Sequence, residues 1–377
     1  MDALYSIPWL LVGYILPFVV VLSLLVFVHE MGHYLAGRWS GIRILAFSVG
    51  FGPELIGYTD RHGTRWKISA IPLGGYVRFF GDEDAASRPD FDGIAELTPA
   101  ERETTMAGAK LWKRAVTVAA GPIANFLLAI VIFAAVFGIN GKPVVDPVVA
   151  ETRENSAAAE AGILPGDVLL AIDGQKVATF DDVRRYVSMR PDMTIIVSVR
   201  RGEEVLDLPM VPKRTEITDQ FGNKMEVGLI GIVTSQERGN FRVEQLTPLE
   251  AVGEGARQTW HIVKGTYDYL SNLVMGRMGA EQLGGPVRIA KMSGEVATLG
   301  FTAYLTWAAM LSVSIGLLNL MPVPVLDGGH LVFYAIEAVR GRPVGPGAQE
   351  VAFRIGLVMI LSLMVFSTWN DFGRPFG

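Results

Sequence analysis

At 377 residues, 50% of them hydrophobic and 19% charged, the chain has the composition of an integral membrane protein, and its mean hydropathy is positive. A net charge of −5 with no strong basic run argues against nucleic acid as a partner. There is no cysteine, which excludes disulfides, thiolate metal sites and cysteine nucleophiles and leaves histidine and carboxylate as the available metal ligands.

Residues 1–38 open the chain with an apolar stretch whose positions 3–28 carry no charge, long enough to cross a bilayer. The N-terminus has neither a basic region nor a small-residue cleavage site, so this segment, with its span at 8–35, is read as retained and not as a removed signal peptide. Near its end stands Val28-His29-Glu30-Met31-Gly32-His33. On a helix His29 and His33 share one face and can hold one Zn²⁺, while Glu30 is placed to act as general base on a water activated there. Two interfacial histidines near a helix end are the bland alternative. Ionisable groups in an apolar span are costly and mark function more often than packing.

Residues 39–111 form a loop before the second span. Gly and Pro punctuate short β-like runs at 54–58 and 65–70 around the turn Asp60-Arg61-His62-Gly63, which predicts a hairpin. The next stretch, Leu73-Gly74-Gly75-Tyr76-Val77-Arg78-Phe79-Phe80, is apolar enough to dip into the membrane, where non-helical backbone is tolerated only against protein or a watery cavity. A purely cytoplasmic hairpin fits the same residues. Residues 82–103 are acidic and polar and read as a mobile loop.

The second span, 115–139 within 112–140, contains Gly121-Pro122-Ile123-Ala124-Asn125-Phe126. Its small residues permit close helix packing, Pro122 permits a kink, and Asn125 reads as packing glue across the bundle ahead of any chemical role. Residues 142–214 then change to the composition of a soluble α+β module, with strands at 148–150, 168–172, 194–199 and 205–210 and a turn at Arg201-Gly202. A capping box at Thr179-Phe180-Asp181-Asp182 opens a helix through Ser188. Over 215–296 a strand is followed by one apolar helical stripe, Leu249, Val252, Ala256, Trp260, Val263, Tyr267, Leu270 and Val274. Packing on the module is its plainer reading, with the membrane surface or the spans as alternatives.

Residues 297–330 carry the third span, at 297–321, residues 331–350 a loop, and residues 351–370 a short fourth span, at 351–369, that needs Arg354 to snorkel. Arg38, Arg43, Lys110, Lys113 and Arg114 flank the first loop and Arg340, Arg342 and Arg354 the third, so the positive-inside rule puts those loops in the cytoplasm and both termini outside.

The third span ends in Asn319-Leu320-Met321-Pro322-Val323-Pro324-Val325-Leu326-Asp327-Gly328-Gly329-His330. Pro322 and Pro324 break the helix and free backbone groups, which suits a site that must pair with a substrate strand. A hydrolytic zinc site takes three protein ligands, and Asp327 is predicted as the third. The first and third spans run in the same direction, so both motifs lie at similar depth. His330, Glu54 and residues 82–84 are the other candidates, while His62 and His261 read as surface residues. For Asn319 two roles stay open: satisfying the broken helix, or donating to substrate backbone or a developing oxyanion.

The stretch Ala158-Ala159-Glu160-Ala161-Gly162-Ile163-Leu164-Pro165-Gly166-Asp167 is similar to the signature of bacterial PDZ domains. Together with the HExxH, the Gly121 to Phe126 stretch, Gly285-Pro286-Val287-Arg288-Ile289-Ala290 and the Asn319 to Gly329 run, it makes the chain resemble the site-2 protease family of intramembrane zinc metalloproteases, in its bacterial RseP branch. The resemblance implies a polytopic α-helical membrane protein of about four transmembrane helices, with a re-entrant or cytoplasmic β element and one extracytoplasmic α+β PDZ domain. It implies one Zn²⁺ per chain on His29, His33 and Asp327, with Glu30 as base and then acid. Asn319, Pro322, Pro324, Gly74 and Gly75 would border the substrate.

The implied partners are membrane lipids, a peptide or chain end at the PDZ groove, and a single-span membrane protein substrate. A pre-trimmed anti-sigma factor or a signal-peptide remnant is the kind of substrate suggested, and the PDZ domain would gate its admission. The implied setting is the cell inner membrane, active site towards the cytoplasm and PDZ domain in the periplasm. RseP itself has two tandem PDZ modules. One signature occurs here, and 225–233 is too short to build a second, so a two-module size filter is not carried over. A membrane-tethered PDZ adaptor without catalysis is the rival from another class, and a membrane zinc hydrolase of lipidated or soluble peptides is the rival within it.

Overall fold

The computed structural model describes residues 11–83, 90–218, 224–234, 241–275 and 284–373. Two compact units emerge, Met1–Val136 with Leu249–Phe376, and Phe137–Pro248. In the first, a π-helical turn at Leu11–Ile15 runs on into helix α1 (Leu16–Trp39), with Pro17, which has no N–H to donate, close to the junction. Strands β1 (Ile44–Thr59) and β2 (Arg65–Phe79) follow as a long, curled hairpin.

The hairpin is more than two straight strands. Phe47 pairs with both Val77 and Trp66, and Trp66 pairs in turn with Tyr58, so three further runs flank and extend residues 46–49. Positive φ at Gly50, Gly52 and Gly74 makes the bends, a conformation that favours glycine. Tyr34, Ile44, Phe47, Val77 and Phe79 form a buried core that locks this sheet onto α1. After it, α2 (Phe91–Glu96) and α3 (Pro99–Arg102) correct the expectation of a loop over 82–103, α3 being held by a Thr98–Glu101 capping box. Residues 84–89 of that stretch lie outside the described residues.

Helix α4 (Leu111–Asn140) contains Pro122 without ending there. The second unit then runs β3 (Lys142–Val145), β4 (Glu151–Thr152), α5 (Ala157–Glu160), β5 (Val168–Ile172), β6 (Gln175–Lys176), α6 (Phe180–Ser188), β7 (Ile195–Arg201), β8 (Glu204–Met210), β9 (Lys213–Thr218), β10 (Lys224–Leu229), β11 (Ile232–Val233) and β12 (Phe241–Glu244). Its central sheet has the order β6-β5-β7-β8, and Leu169, Ile172, Val183, Val187, Val197 and Val199 fill its core. The capping box on α6 forms as the sequence predicts. Residues 148–150 make only a single bridge, Val148 to Val168, because the chain turns there into β4. Residues 224–233 join this same unit: β10 pairs with β9, and β11 pairs back onto β4. The unit therefore extends beyond the 142–214 read from the sequence.

Back in the first unit, α7 (Pro248–Val274) corrects an expectation about packing. Gly255, Ala251 and Thr259 form its buried face, and a Cβ at 255 would stand 2.6 Å from Ile130 O of α4. The predicted apolar stripe points outward instead, with Leu249 83% and Trp260 63% exposed. Helices α8 (Pro286–Thr298) and α9 (Phe301–Asn319) are separate, so the third apolar helix starts after Gly300. A further helix, α10 (Asp327–Arg340), occupies part of the expected 331–350 loop, and α11 (Pro346–Gly373) lengthens the fourth span, with Arg354 paired to Glu350 at 2.5 Å. Four helices, Val12–Trp39, Leu111–Asn140, Phe301–Asn319 and Pro346–Asp371, are long and apolar enough to cross a membrane.

Candidate metal centre

His29 and His33 are four residues apart on α1, one helical turn, and so project from the same face. Across from them, α9 ends at Asn319, the proline-containing link turns the chain, and α10 starts at Asp327, putting its carboxylate in a first helical turn where negative charge is favoured. Gly328 and Gly329 make that link compact. A Cβ at 328 would collide with the carbonyls of Leu320 and Met321, and one at 329 would collide with that of Val323.

The three side chains meet at one point. His29 Nε2 lies 3.1 Å from Asp327 Oδ2, His33 Nε2 lies 3.5 Å from it, and the two Nε2 atoms are 3.1 Å apart. Zinc bonds of roughly 2.0–2.1 Å at tetrahedral angles place ligand atoms about 3.3 Å apart, so the triad has the spacing of a zinc site. Two further observations fit a cation. Asp327 Oδ2 is buried and, although within ion-pair distance of both rings, accepts no hydrogen bond among the described residues. His33 Nδ1 is 2.9 Å from Thr117 O, and since a carbonyl can only accept, the neutral ring carries its proton on Nδ1 and bares Nε2.

Glu30 lines the same cavity of about 210 Å³, as do Asn319, Gly75, Val77 and His330. Gly75 permits this closeness, because a Cβ there would stand 2.7 Å from Ser48 O, 2.8 Å from Val26 Cγ1 and 3.3 Å from Glu30 Cγ. Gly74 is not on the cavity wall and serves the bend, its added Cβ meeting the Phe51 ring at 2.5 Å. Pro322 and Pro324 are also off the wall, Pro324 lying against Gly329 and Gly356.

Among the described residues the other ligand candidates do not join the triad, although His330 shares its cavity. His330 packs on Phe353, Glu54 pairs with Arg65 at 2.5 Å, and Asp82 accepts from Phe79 N at 3.2 Å. Asp84 is outside the described residues. Sequence reasoning did not single out Gly121, whose missing side chain leaves room for both rings: a Cβ there would stand 2.9 Å from His29 Nε2 and closer still to His33 Nε2. The available signal was spacing, since Thr117, Gly121 and Asn125 recur every four residues on α4 just as His29 and His33 do on α1.

A triad of this composition, its histidines buried and its aspartate partly so, beside a glutamate and among bilayer-length helices, is the equipment of a membrane zinc metalloendopeptidase. The comparisons with known proteins agree. The chain belongs to peptidase family M50, the site-2 protease family, whose model matches residues 17–363. It is 68% identical over 377 residues to an Agrobacterium fabrum protein that carries a zinc metalloprotease name, covering 100% of both chains. It is 49% identical over 362 residues to a Brucella suis protein with the same kind of name, covering 96% of each, and 39% identical over 376 residues to metalloprotease MmpA of Caulobacter vibrioides, covering 94% of each. Among solved structures, a PDZ domain of an SdrC-like protein from Listeria monocytogenes matches 24% of this chain and 87% of its own length, at 18% identity and a TM-score of 0.19.

Proposed function

We propose that this metalloprotease hydrolyses peptide bonds of single-span membrane proteins at a site holding one zinc ion, with His29, His33 and Asp327 as its ligands. The observation that carries the reading is the meeting of these three side chains in one cavity with Glu30. Bound there, zinc supplies Lewis acidity that makes water a competent nucleophile near neutral pH. Glu30 takes the proton of the attacking water and passes it to the leaving amine. Asn319, at the C-terminal end of α9, presents its amide to the substrate backbone or to the developing oxyanion.

A helical peptide bond is shielded, so the substrate must be extended locally. Residues 75–79 of β2 support this role. Gly75, Tyr76, Val77 and Phe79 line the cavity, and among the described residues this run pairs with β1 on one side, leaving an edge for an added strand. In the second unit, β11 pairs with β4 on one side, and its other edge is the place for a peptide or chain end. The second unit would thereby admit trimmed substrates, such as an anti-sigma factor after a first cut or a signal-peptide remnant. The proposed setting is the inner membrane, metal site towards the cytoplasm and second unit in the periplasm, as the clustering of Arg and Lys around the first and third loops supports.

The test uses purified full-length chain in liposomes with a single-span substrate, and zinc measured by elemental analysis. Wild type is expected to hold one zinc and cut the substrate. Glu30→Gln is expected to keep the zinc while its rate falls by about 10²–10⁴. Undiminished cleavage by Glu30→Gln would sink the reading, and zinc-loaded wild type that binds the substrate without cutting it would favour a PDZ adaptor.

A further inference from the structure

Thr117, Gly121 and Asn125 form one face of α4 turned towards His29 and His33. The main chain of Thr117 engages His33, and Gly121 makes room for both rings. What remains is the pairing of Asn125 with His29. Asn125 is 0% exposed, its Nδ2 lies 3.2 Å from His29 Nδ1, and its buried Oδ1 has no hydrogen-bond partner among the described residues. The residue is pinned from its other side by α9. Ser312 Oγ donates to its carbonyl at 2.8 Å, and a Cβ at Gly316 would stand 3.3 Å from Asn125 Cβ, so α9 packs there at short range.

We propose that Asn125 is a positioning residue for the metal site, one that holds His29 in the tautomer whose Nε2 is free to ligate, with the amide oxygen facing the ring. The inference rests on the zinc-site reading above. A neutral imidazole carries one proton, and a ligating Nε2 requires it on Nδ1. In so buried a place that N–H needs an acceptor, and the Asn125 amide is the group within reach. With Nδ2 towards the ring, Nδ1 must instead accept, which moves the proton to Nε2, the atom 3.1 Å from Asp327 Oδ2. A half-turn of the amide exchanges its oxygen and nitrogen without moving another atom. It also gives the unpartnered Oδ1 a donor.

The two histidines are thus oriented by different means. His33 faces a backbone carbonyl that can only accept, whereas His29 depends on a side chain that a mutation can replace. Leucine matches the size of asparagine without its acceptor, while aspartate keeps an acceptor at the same place. A packing role and a positioning role therefore rank the two substitutions in opposite order.

The experiment equilibrates full-length wild type, Asn125→Leu and Asn125→Asp in detergent micelles against zinc buffered by a competing chelator, and reads zinc per chain. Thermal unfolding of the chelator-stripped forms is followed alongside. The zinc dissociation constant is expected to rise about 10–100-fold in Asn125→Leu and to return close to the wild-type value in Asn125→Asp, with matching unfolding of the stripped forms. Should leucine upset the helix contact, Asn125→Ala carries the same expectation. Wild-type affinity in the leucine or alanine form, or equal weakening in leucine and aspartate, overturns the inference and leaves the protease reading standing. Wild type that holds no zinc removes the zinc-site reading itself, and this inference with it.

Discussion

Two aspartates with buried carboxylate oxygens, one in each unit, are treated in opposite ways. Asp167 opens β5 and is fully served: Arg201 Nε donates to Oδ1 at 2.9 Å, Arg201 Nη2 to Oδ2 at 2.7 Å and Leu164 N to Oδ2 at 2.9 Å. Asp327 sits between two imidazoles and, among the described residues, its Oδ2 accepts no hydrogen bond. A buried carboxylate is tolerated when its charge is matched and its lone pairs are used. Asp167 meets that condition from the chain's own residues, whereas Asp327 Oδ2 faces two imidazole nitrogens that neutral rings can leave bare. On the function proposed above, the same residue type is structural in one place and chemical in the other because of what surrounds it.

The sharpest way to break this contrast is to neutralise each aspartate. Asp327→Asn is expected to weaken zinc binding by more than about 100-fold, beyond the 10–100-fold typical of residues that only orient a ligand, with thermal unfolding of the stripped protein unchanged. Gly121→Ala should act on the same site by sterics. Its methyl displaces both rings, and zinc content is expected to drop about 10–100-fold at limiting zinc while the second unit stays folded.

Asp167→Asn should do the reverse. Loss of charge-assisted bonds to a buried group is expected to destabilise the second unit by about 2 kcal/mol, read as faster amide exchange over β5 and β7, with zinc content unaltered. The pH dependence sharpens the same point. Hydrogen bonds from Arg201 hold the Asp167 carboxyl below its ordinary value of 3.8, against the opposing effect of desolvation. Its contribution is therefore complete above that ordinary value and fades as pH falls through the lower folded one. Protection factors in β5, taken relative to intrinsic exchange at each pH, should fall in acid in wild type, and this component should vanish in Asp167→Asn.

The smallest effect serves as a control. Gly253 is helical, and a Cβ there meets nothing within 4 Å, so Gly253→Ala should stabilise α7 by about 0.5–1 kcal/mol, seen as a small rise in unfolding temperature without change in zinc.

Local chemistry made much of this legible in the residues alone. Helical spacing put His29 and His33 on one face, absence of charge marked four spans, and Thr179 to Asp182 announced a helix start. These features depend on neighbours within a few positions, which the sequence displays directly. The outward turn of the α7 stripe was not legible, because periodicity names an apolar face without saying whether protein or lipid covers it, and small Gly255 and Ala251 packed more closely on α4. The start of α10 at Asp327 was hidden by the prolines before it, since Pro predicts a break but not a new helix three residues later. The contacts of Gly121, Thr117 and Asn125 needed the tertiary structure for a plain reason: each meets a histidine some 90 positions earlier in the chain, and no local pattern tells a glycine that packs helices from one that makes room for two imidazoles. The sequence by itself determined the candidate ligand types, the four long apolar helices and the module. Only the folded chain decided which carboxylate would stand between the two imidazoles, because that depends on the groups brought to it from distant helices.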